Sequence, residues 1–185
     1  MTLSGSDIKP MKNQIRLAAI AKRKSLTQSE VDSLSAIIQK SLMDTDDYKE
    51  ARTIMLYKGA HNEVSTDFLI DDAVRSKIVL LPSIFGDSII PTRYEGVLKE
   101  GTFGIYEPEG PAFAGEIDLI IVPVVAFDSN LGRIGRGLGY YDRFLKKYNS
   151  IKIGLAFEVQ KVMNVPVEPH DEKLHRVITE GAIYK

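Results

Sequence analysis

Residues 118–144 read DLIIVPVVAFDSNLGRIGRGLGYYDRF, and this stretch decides the fold. It opens with the most apolar run of the chain, residues 118–127, which predicts a buried strand. A glycine-rich, basic segment at 132–139 follows. The residues after it return at the spacing of an amphipathic helix: Tyr141, Phe144, Leu145 and Tyr148. Because closely spaced glycines let backbone N–H groups face an anion, and a helix N-terminus attracts negative charge, this order predicts a phosphate-binding loop.

The segments before this stretch alternate between strand and helix patterns. Residues 52–57 and 77–81 predict strands with a helix between them, and Pro82 is expected to end the second strand. This β-α-β order is typical of a parallel sheet with right-handed crossovers, whose ligands collect at the carboxyl ends of the strands. The polar loop 58–63 and the glycine loop both leave such ends, so we expect them to face one crevice.

Further patterns complete an α/β fold. Two helices precede the first strand, and Thr27 with Glu30 has the form of a capping box at the start of the second helix. Additional strands are predicted at 89–94, 151–157 and 177–179. We therefore predict a single three-layer α/β/α domain over residues 1–185, with a mostly parallel, mixed sheet.

Composition limits the classes of function. The 185 residues are 44% apolar and carry a formal net charge of −1, which gives no general electrostatic basis for binding nucleic acid or an acidic membrane. The chain has no cysteine, which excludes disulfides, thiolate metal sites and a cysteine nucleophile. It also has no apolar run of membrane-spanning length. We expect a cytoplasmic protein, a monomer or weak homodimer, that binds small molecules and neither nucleic acid nor membrane.

The glycine loop matches neither of the two common glycine motifs. It lacks the Gly-Lys-Ser/Thr ending of a P-loop, and Tyr140 stands where the dinucleotide pattern requires its last glycine after Gly135 and Gly137. Such a loop is either a structural turn or a binding loop. Charged neighbours favour binding, because arginine suits phosphate oxygens and a carboxylate beside phosphate suits Mg²⁺. These neighbours are Arg133, Arg136, Asp142 and Arg143.

A basic edge runs along the first predicted helix. Lys12, Arg16 and Arg23 lie at i, i+4 and i+11, which places them close to one edge. The edge is either a solvated face or a surface directed at a polyphosphate. Helical spacing by itself leaves both interpretations open.

Several motifs, in order along nearly the whole chain, resemble one known family. The segment FDSNLGRIGRGLGYYDRFL at 127–145 closely resembles the signature of the 5-formyltetrahydrofolate cyclo-ligases. The other matching motifs are K-x-x-x-R at Lys12 and Arg16, NEVST at 62–66, FGIYEP at 103–108, GLAFEVQ at 154–160 and VPVEPHDEKLHRVITE at 165–180. The chain is thereby identified as a member of this family.

The resemblance implies both the fold and the reaction. It implies a three-layer α/β/α fold and an ATP- and Mg²⁺-dependent ligase that converts 5-formyltetrahydrofolate to 5,10-methenyltetrahydrofolate, with release of ADP and phosphate. The implied path passes the γ-phosphoryl group to the formyl oxygen as an iminophosphate, which folate N10 then attacks. Such chemistry requires positioning and charge neutralisation more than a protein nucleophile.

The resemblance also implies roles for individual residues. Lys12 and Arg136 would be the catalytic cations, and Glu63 would accept hydrogen bonds from the N–H groups of the pterin-type ring. Asp142 and Asp171 would hold Mg²⁺ directly or through water. The nucleotide would be bound by Lys12, Arg16, Arg133, Ile134, Gly135, Arg136, Gly137, Leu138, Gly139, Tyr140 and Tyr141. The folate pocket would be lined by Tyr57, Glu63, Phe103 and Tyr140.

Four positions also have a structural interpretation. Phe103, between glycines, suits core packing as well as stacking on a ligand. Tyr141 fits the apolar face of its own helix, and Asp142 favours the start of that helix even without a metal. His170, beside Asp171, fits an ordinary turn.

Three other classes of function compete with the cyclo-ligase interpretation. A sugar-phosphate isomerase or CoA-transferase is compatible with an α/β fold, because fold does not fix function. A non-catalytic relative would bind folate or nucleotide without turnover. A nucleic-acid module has the least support, since the basic residues are local and lack an aromatic platform.

Overall fold

The computed structural model describes residues 5–60, 62–101 and 106–185, with side chains from residue 8 onward. The helices of these residues are α1 (Gly5–Lys24), α2 (Gln28–Met43), α3 (Asp46–Glu50), α4 (Asp67–Ala73) and α5 (Tyr140–Leu145). The strands are β1 (Thr53–Met55), β2 (Ile78–Phe85), β3 (Ser88–Arg93), β4 (Leu98–Glu100), β5 (Tyr106–Pro108), β6 (Leu119–Pro123), β7 (Ala126–Phe127), β8 (Arg133–Ile134), β9 (Ile151–Leu155), β10 (Arg176–Ile178) and β11 (Ile183–Tyr184). The capping box predicted at Thr27 and Glu30 is confirmed at the start of α2.

The main sheet of the described residues has the strand order β11-β10-β9-β6-β1-β2-β3. Neighbours from β10 through β2 are parallel, and β3 and β11 add antiparallel edges. Two smaller pairs, β4–β5 and β7–β8, stand apart from this sheet. The predicted α/β fold with a mostly parallel, mixed sheet is confirmed.

Helices cover both faces of the sheet. Successive residues of a strand point to opposite faces, so Ile54 packs with Ile38 of α2 and Leu69 of α4. Its neighbour Met55 belongs to the cluster on the other face, with Phe144 of α5. The three layers follow from this alternation. None of the described helices is long and apolar enough to cross a bilayer.

The first helix packs at one end of the sheet. Ala19 of α1 clusters with Val125, Ala126 and Ile134, which belong to the β7–β8 region. Because β7 follows the carboxyl end of β6, this contact sets α1 beside the loops that leave the carboxyl ends of the strands.

Pro82 does not end β2, contrary to the sequence prediction. The strand continues to Phe85, and Pro82 lies opposite Pro91 in the antiparallel pair with β3. The pairing of β2 with β1 ends at Leu80, and beyond it β2 pairs only with β3. With a partner strand on one side only, β2 tolerates a proline, which has no N–H group to donate.

The apolar run 118–127 forms two strands and not one. β6 ends at Pro123, and the carbonyl groups of Val124 and Val125 accept hydrogen bonds from Nε2 of Gln160 at 2.7 and 2.9 Å. The side chain thus takes the place of a strand partner, and β7 turns away to pair with β8. The helix is also shorter than the apolar pattern predicts, since α5 ends at Leu145 and does not reach Tyr148.

Candidate functional site

A cleft of about 640 Å³ lies beside the carboxyl ends of the parallel strands. All described residues to which the family resemblance assigned nucleotide, folate or Mg²⁺ line this one cleft. The exception among the predictions is Phe103, which lies outside the described residues. The loop after β1 and the glycine loop therefore face one crevice, and the individual binding roles stay predictions.

The glycine loop is fixed at its base by Asp128, and its tip has two glycines with positive φ. Asp128 holds the turn into β8, because its Oδ1 accepts the N–H groups of Asn130 and Gly132 at 2.9 and 3.0 Å. Gly137 and Gly139 have φ values of 101° and 68°, which glycine adopts at little cost. The glycines are thus required by the backbone path of the loop.

Arg133 is a buried cation at the entrance to the loop. Its side chain is 2% exposed, and Nη2 donates to Oδ1 of Asp142 at 2.7 Å. Asp142 therefore neutralises a buried charge in addition to standing in the first turn of α5.

Lys12 of α1 contacts the segment that precedes β10. Its Nζ donates to Oδ2 of Asp171 at 2.5 Å and to Oε2 of Glu168 at 2.9 Å. Burial alone lowers the pKa of Lys12, but the hydrogen bonds and charges of the two carboxylates outweigh it and raise the pKa above its usual value. Lys12 is therefore cationic in the cleft.

Asp171 belongs to a group with the spacing of metal ligands. The ligand atoms of Glu168, His170 and Asp171 lie within 4.8 Å of one another. Asp142 lies nearby, because its Oδ1 is 3.4 Å from the backbone nitrogen of Glu172. Carboxylate oxygens on two adjacent segments fit Mg²⁺, which takes one or two protein carboxylates and fills its shell with water and phosphate.

The basic edge of α1 is not a solvated face. Arg16 donates from Nε to the backbone oxygen of Gly135 at 2.9 Å, so it contacts the glycine loop directly. Arg23, one end of the same edge, is 6% exposed and lies 3.7 Å from Oε1 of Glu63. Lys12 and Arg16 line the cleft, whereas Arg23 lies behind it.

Glu63 joins the two loops across the cleft. Its Oε1 accepts hydrogen bonds from Nη2 of Arg136 at 2.8 Å and from Nε at 3.2 Å. Its Oε2 accepts the N–H of Ala60 at 3.3 Å. The carboxylate is 5% exposed and the guanidinium side chain of Arg136 is 42% exposed, so a solvated arginine covers a buried acid.

The three predicted aromatic residues that the structure describes differ in their hydroxyl groups. The hydroxyl of Tyr57 donates to the backbone oxygen of Val64 at 3.2 Å, and that of Tyr140 lies 3.4 Å from the oxygen of Gly86. The hydroxyl of Tyr141 is buried and has no hydrogen-bond partner among the described residues. Burial and the charge of Glu63 raise the pKa of Tyr141, so it keeps its proton as an available donor.

Arg143 was grouped with the arginines that suit phosphate, but in the structure it contacts backbone oxygens and does not line the cleft. It donates to the backbone oxygens of Leu138 and Asp87 at 3.1 and 2.6 Å. Its guanidinium also stands 5.3 Å from the ring centre of Tyr140. Arg143 therefore braces the glycine loop against the β2–β3 turn.

Sequence reasoning missed the apolar wall of the cleft. This wall is formed by Pro82, Ile84, Ile89, Pro123 and Val125. Most of these residues stand in β2 and β3 or at the end of β6, so the signal available in the sequence was their position beside strand ends. Polar residues of the lining that were also missed are Lys9, Asn13, Lys58 and Glu168.

Comparisons with known proteins agree with one another. The model of the 5-formyltetrahydrofolate cyclo-ligase family matches residues 8–180. A probable 5-formyltetrahydrofolate cyclo-ligase of Schizosaccharomyces pombe is 31% identical over 94% of this chain and 97% of that protein. A 5-formyltetrahydrofolate cyclo-ligase of Haemophilus influenzae is 29% identical over 90% of this chain and 96% of its own length. The solved structure of Aquifex aeolicus 5,10-methenyltetrahydrofolate synthetase superposes with a TM-score of 0.86 at 32% identity, covering 95% of this chain and 92% of that chain.

Proposed function

Because this chain belongs to the 5-formyltetrahydrofolate cyclo-ligase family, we propose that it converts 5-formyltetrahydrofolate to 5,10-methenyltetrahydrofolate with ATP and Mg²⁺, releasing ADP and phosphate. Family membership makes the chain a ligase of folate metabolism. The observation that carries the proposal is the cleft, which gathers cations and carboxylates around a glycine loop. We also propose that residues 1–185 act as one domain, since the cleft takes residues from Lys9 to Asp171.

The proposed reaction has two steps. The γ-phosphoryl group of ATP passes to the formyl oxygen, which gives an iminophosphate and ADP. Folate N10 then attacks the activated carbon and gives up its proton, and the bond from carbon to the phosphate oxygen breaks as the ring closes. Positioning and neutralisation of the phosphoryl charge are what the protein has to supply.

Lys12 and Arg136 are the proposed catalytic cations. In the structure each is paired with a carboxylate, Lys12 with Asp171 and Arg136 with Glu63. Mg-ATP brings a cation and several anions together, so it offers each member of these pairs a new partner of opposite charge. Binding by exchange of partners leaves no buried charge without a counter-charge.

Asp142 and Asp171 are the proposed ligands of Mg²⁺, directly or through water. When bound, Mg²⁺ neutralises charge on the phosphate oxygens. Arg16 fixes the backbone of the glycine loop through the carbonyl oxygen of Gly135. The loop amides are proposed to bind the phosphates.

The folate is proposed to lie on the apolar side of the cleft. Ile84 and Ile89 provide a wall for a flat ring, and Tyr140, which follows the glycine loop in the chain, has its hydroxyl 3.4 Å from the oxygen of Gly86 between β2 and β3. Glu63 is proposed to accept hydrogen bonds from the pterin-type ring, and the unpartnered hydroxyl of Tyr141 is an additional donor. On this arrangement ATP and folate meet at Arg136.

The decisive experiment is a reconstituted reaction. Purified protein is mixed with Mg-ATP and 5-formyltetrahydrofolate, and the near-ultraviolet absorbance of the methenyl product is followed while each component is omitted in turn. We expect the absorbance to rise only in the complete mixture. If the absorbance shows no ATP-dependent rise under any condition, the cyclo-ligase proposal is wrong.

The same experiment separates the remaining alternative. A non-catalytic relative would bind 5-formyltetrahydrofolate in calorimetry and yet give no absorbance change with Mg-ATP. The isomerase or transferase alternative rested on the fold alone, and the family match removes that basis.

A further inference from the structure

A buried arginine stands behind the substrate side of the cleft. Arg23, near the end of α1, has a side chain that is 7% exposed, and its Nη1 lies 3.7 Å from Oε1 of Glu63. Its Nε and Nη1 are buried without a hydrogen-bond partner among the described residues. Buried arginine donors are ordinarily paired, so this guanidinium is incompletely satisfied by the described residues.

The same carboxylate oxygen is approached by a second arginine from the solvent side. Arg136 donates to Oε1 of Glu63 through both Nη2 and Nε. Arg23 and Arg136 therefore compete for one oxygen, and Arg136 is in hydrogen-bond range whereas Arg23 is just beyond it. Burial lowers the pKa of Arg23, the charge of Glu63 raises it, and the like charge of Arg136 lowers it again.

We infer that Arg23 is a positioning residue for Glu63. When Arg136 turns to phosphate, Arg23 replaces it as the cation bound to Oε1 of Glu63. This inference rests on the proposed function, in which Glu63 contacts the folate and Arg136 contacts ATP. A carboxylate that is 5% exposed cannot lose its cationic partner without a large desolvation cost. A movement of roughly 1 Å brings Nη1 of Arg23 into hydrogen-bond range. Arg23 then provides Glu63 with a cationic partner and keeps its carboxylate aimed at the ring.

The first test compares the Michaelis constants for the two substrates. In Arg23→Gln we expect the KM for 5-formyltetrahydrofolate to rise about tenfold, as for loss of one hydrogen bond to a charged group. We expect the KM for ATP to change less than about twofold, because Arg23 lies behind Glu63 and away from the phosphates. Lys22→Gln removes a neighbouring exposed cation of α1 and is expected to leave both constants unchanged.

A double-mutant cycle tests whether Arg23 acts through Glu63. The effect of Arg23→Gln on the folate constant should disappear in a Glu63→Gln background, because no charge remains to be held. Equal effects in both backgrounds, or an unchanged folate constant in Arg23→Gln, would overturn the inference.

Should Arg23→Gln fail to fold, Arg23→Lys carries the test. Lysine keeps the charge with a different reach, so a native melting curve and an intermediate folate constant are expected, and wild-type constants would count against Arg23.

Calorimetric binding of 5-formyltetrahydrofolate is measured in parallel on every variant, with Mg²⁺ and a non-hydrolysable ATP analogue present so that Arg136 has a phosphate to bind. Wild-type protein that binds folate without turnover would refute the proposed reaction, while the cycle in binding free energies still decides the role of Arg23. Wild-type protein that binds no folate would refute both. Turnover in wild-type protein with no coupling between Arg23 and Glu63 would refute the inference alone.

Discussion

At the scale of single residues, three cations of the cleft are each paired with a carboxylate. The pairs and distances are Lys12–Asp171 at 2.5 Å, Arg133–Asp142 at 2.7 Å and Arg136–Glu63 at 2.8 Å. Their burial differs greatly, because the side chain of Arg133 is 2% exposed and that of Arg136 is 42% exposed. Breaking the Arg133–Asp142 pair therefore costs stability. In the Arg136–Glu63 pair only the arginine is solvated, and the buried carboxylate of Glu63 has Arg23 as a second cation 3.7 Å away.

Asp142→Asn tests the pair that contains the buried Arg133. We expect the free energy of unfolding to fall by about 3 kcal/mol, the lower end for removing one partner of a buried ion pair, because Arg133 loses its counter-charge. We also expect turnover to require more Mg²⁺. Urea denaturation and an Mg²⁺ titration of the reaction measure the two effects.

Asp71→Asn is the matched control, since it removes an exposed carboxylate on α4. Its stability and Mg²⁺ requirement should equal those of the wild type. An Asp142→Asn protein that matched this control in both measurements would remove Asp142 from the ion pair and from the metal site alike.

At the scale of elements, the glycine loop and α1 act as one unit. Gly137 has a positive φ, and a Cβ atom there would lie 3.1 Å from Cζ of Arg16. Arg16 in turn holds the carbonyl oxygen of Gly135. The loop backbone therefore packs directly on the basic edge of α1. Because of this contact, the edge forms part of the cleft and is not a solvated face.

Gly137→Ala tests this contact. We expect the added methyl group to displace Arg16 and raise the KM for ATP about tenfold, equivalent to about 1.4 kcal/mol of binding free energy. Initial rates at varied ATP measure the constant. The positive φ should also cost about 1–2 kcal/mol of stability.

Gly96→Ala separates the two effects of that substitution. Gly96 has a φ of 89°, and a Cβ atom there would meet nothing within 4 Å. It should share the loss of stability and keep the wild-type KM for ATP. Equal ATP constants in the two alanine variants would contradict a specific contact between Gly137 and Arg16.

At the scale of the whole molecule, the cleft connects distant parts of the chain. The hydrogen bonds of Lys12 span 156 and 159 positions, to Glu168 and Asp171, and that of Arg136 spans 73 positions to Glu63. A ligand bound among these residues stabilises contacts between the first helix, the first loop and the segment before β10 together. Ligand binding should therefore be visible in the stability of the entire fold.

Thermal melting with Mg-ATP measures this coupling. At a ligand concentration of about 100 times Kd we expect about 2.7 kcal/mol of added stability. For a domain of this size that corresponds to a rise in Tm of roughly 5–10 °C. With ATP and a chelator of divalent cations the rise should be smaller. An identical rise with and without chelator would argue against Mg²⁺ in the complex.

Much of the fold and of the cleft was predictable because local patterns report local physics. The capping box at Thr27, the strand patterns and the lysine–arginine spacing at Lys12 and Arg16 are each written within a few residues of one another. The glycine loop and its arginines likewise form one continuous segment. Periodicity reveals which residues are buried, and glycine reveals where the backbone needs a positive φ. The sequence by itself therefore determined the α/β fold and, through the family resemblance of its motifs, many of the polar residues that line the cleft, but not its apolar wall.

The tertiary structure decided which of these residues face one another. Pro82 continues its strand because β3 pairs with β2 there, and Arg143 turns to the β2–β3 turn instead of the cleft. Arg23 looked like the continuation of a phosphate-binding edge, and it lies instead behind the carboxylate of Glu63. These outcomes depend on strand order and on contacts between residues far apart in the chain. Such contacts leave no periodic signal in the sequence, because they are fixed only when the sheet assembles.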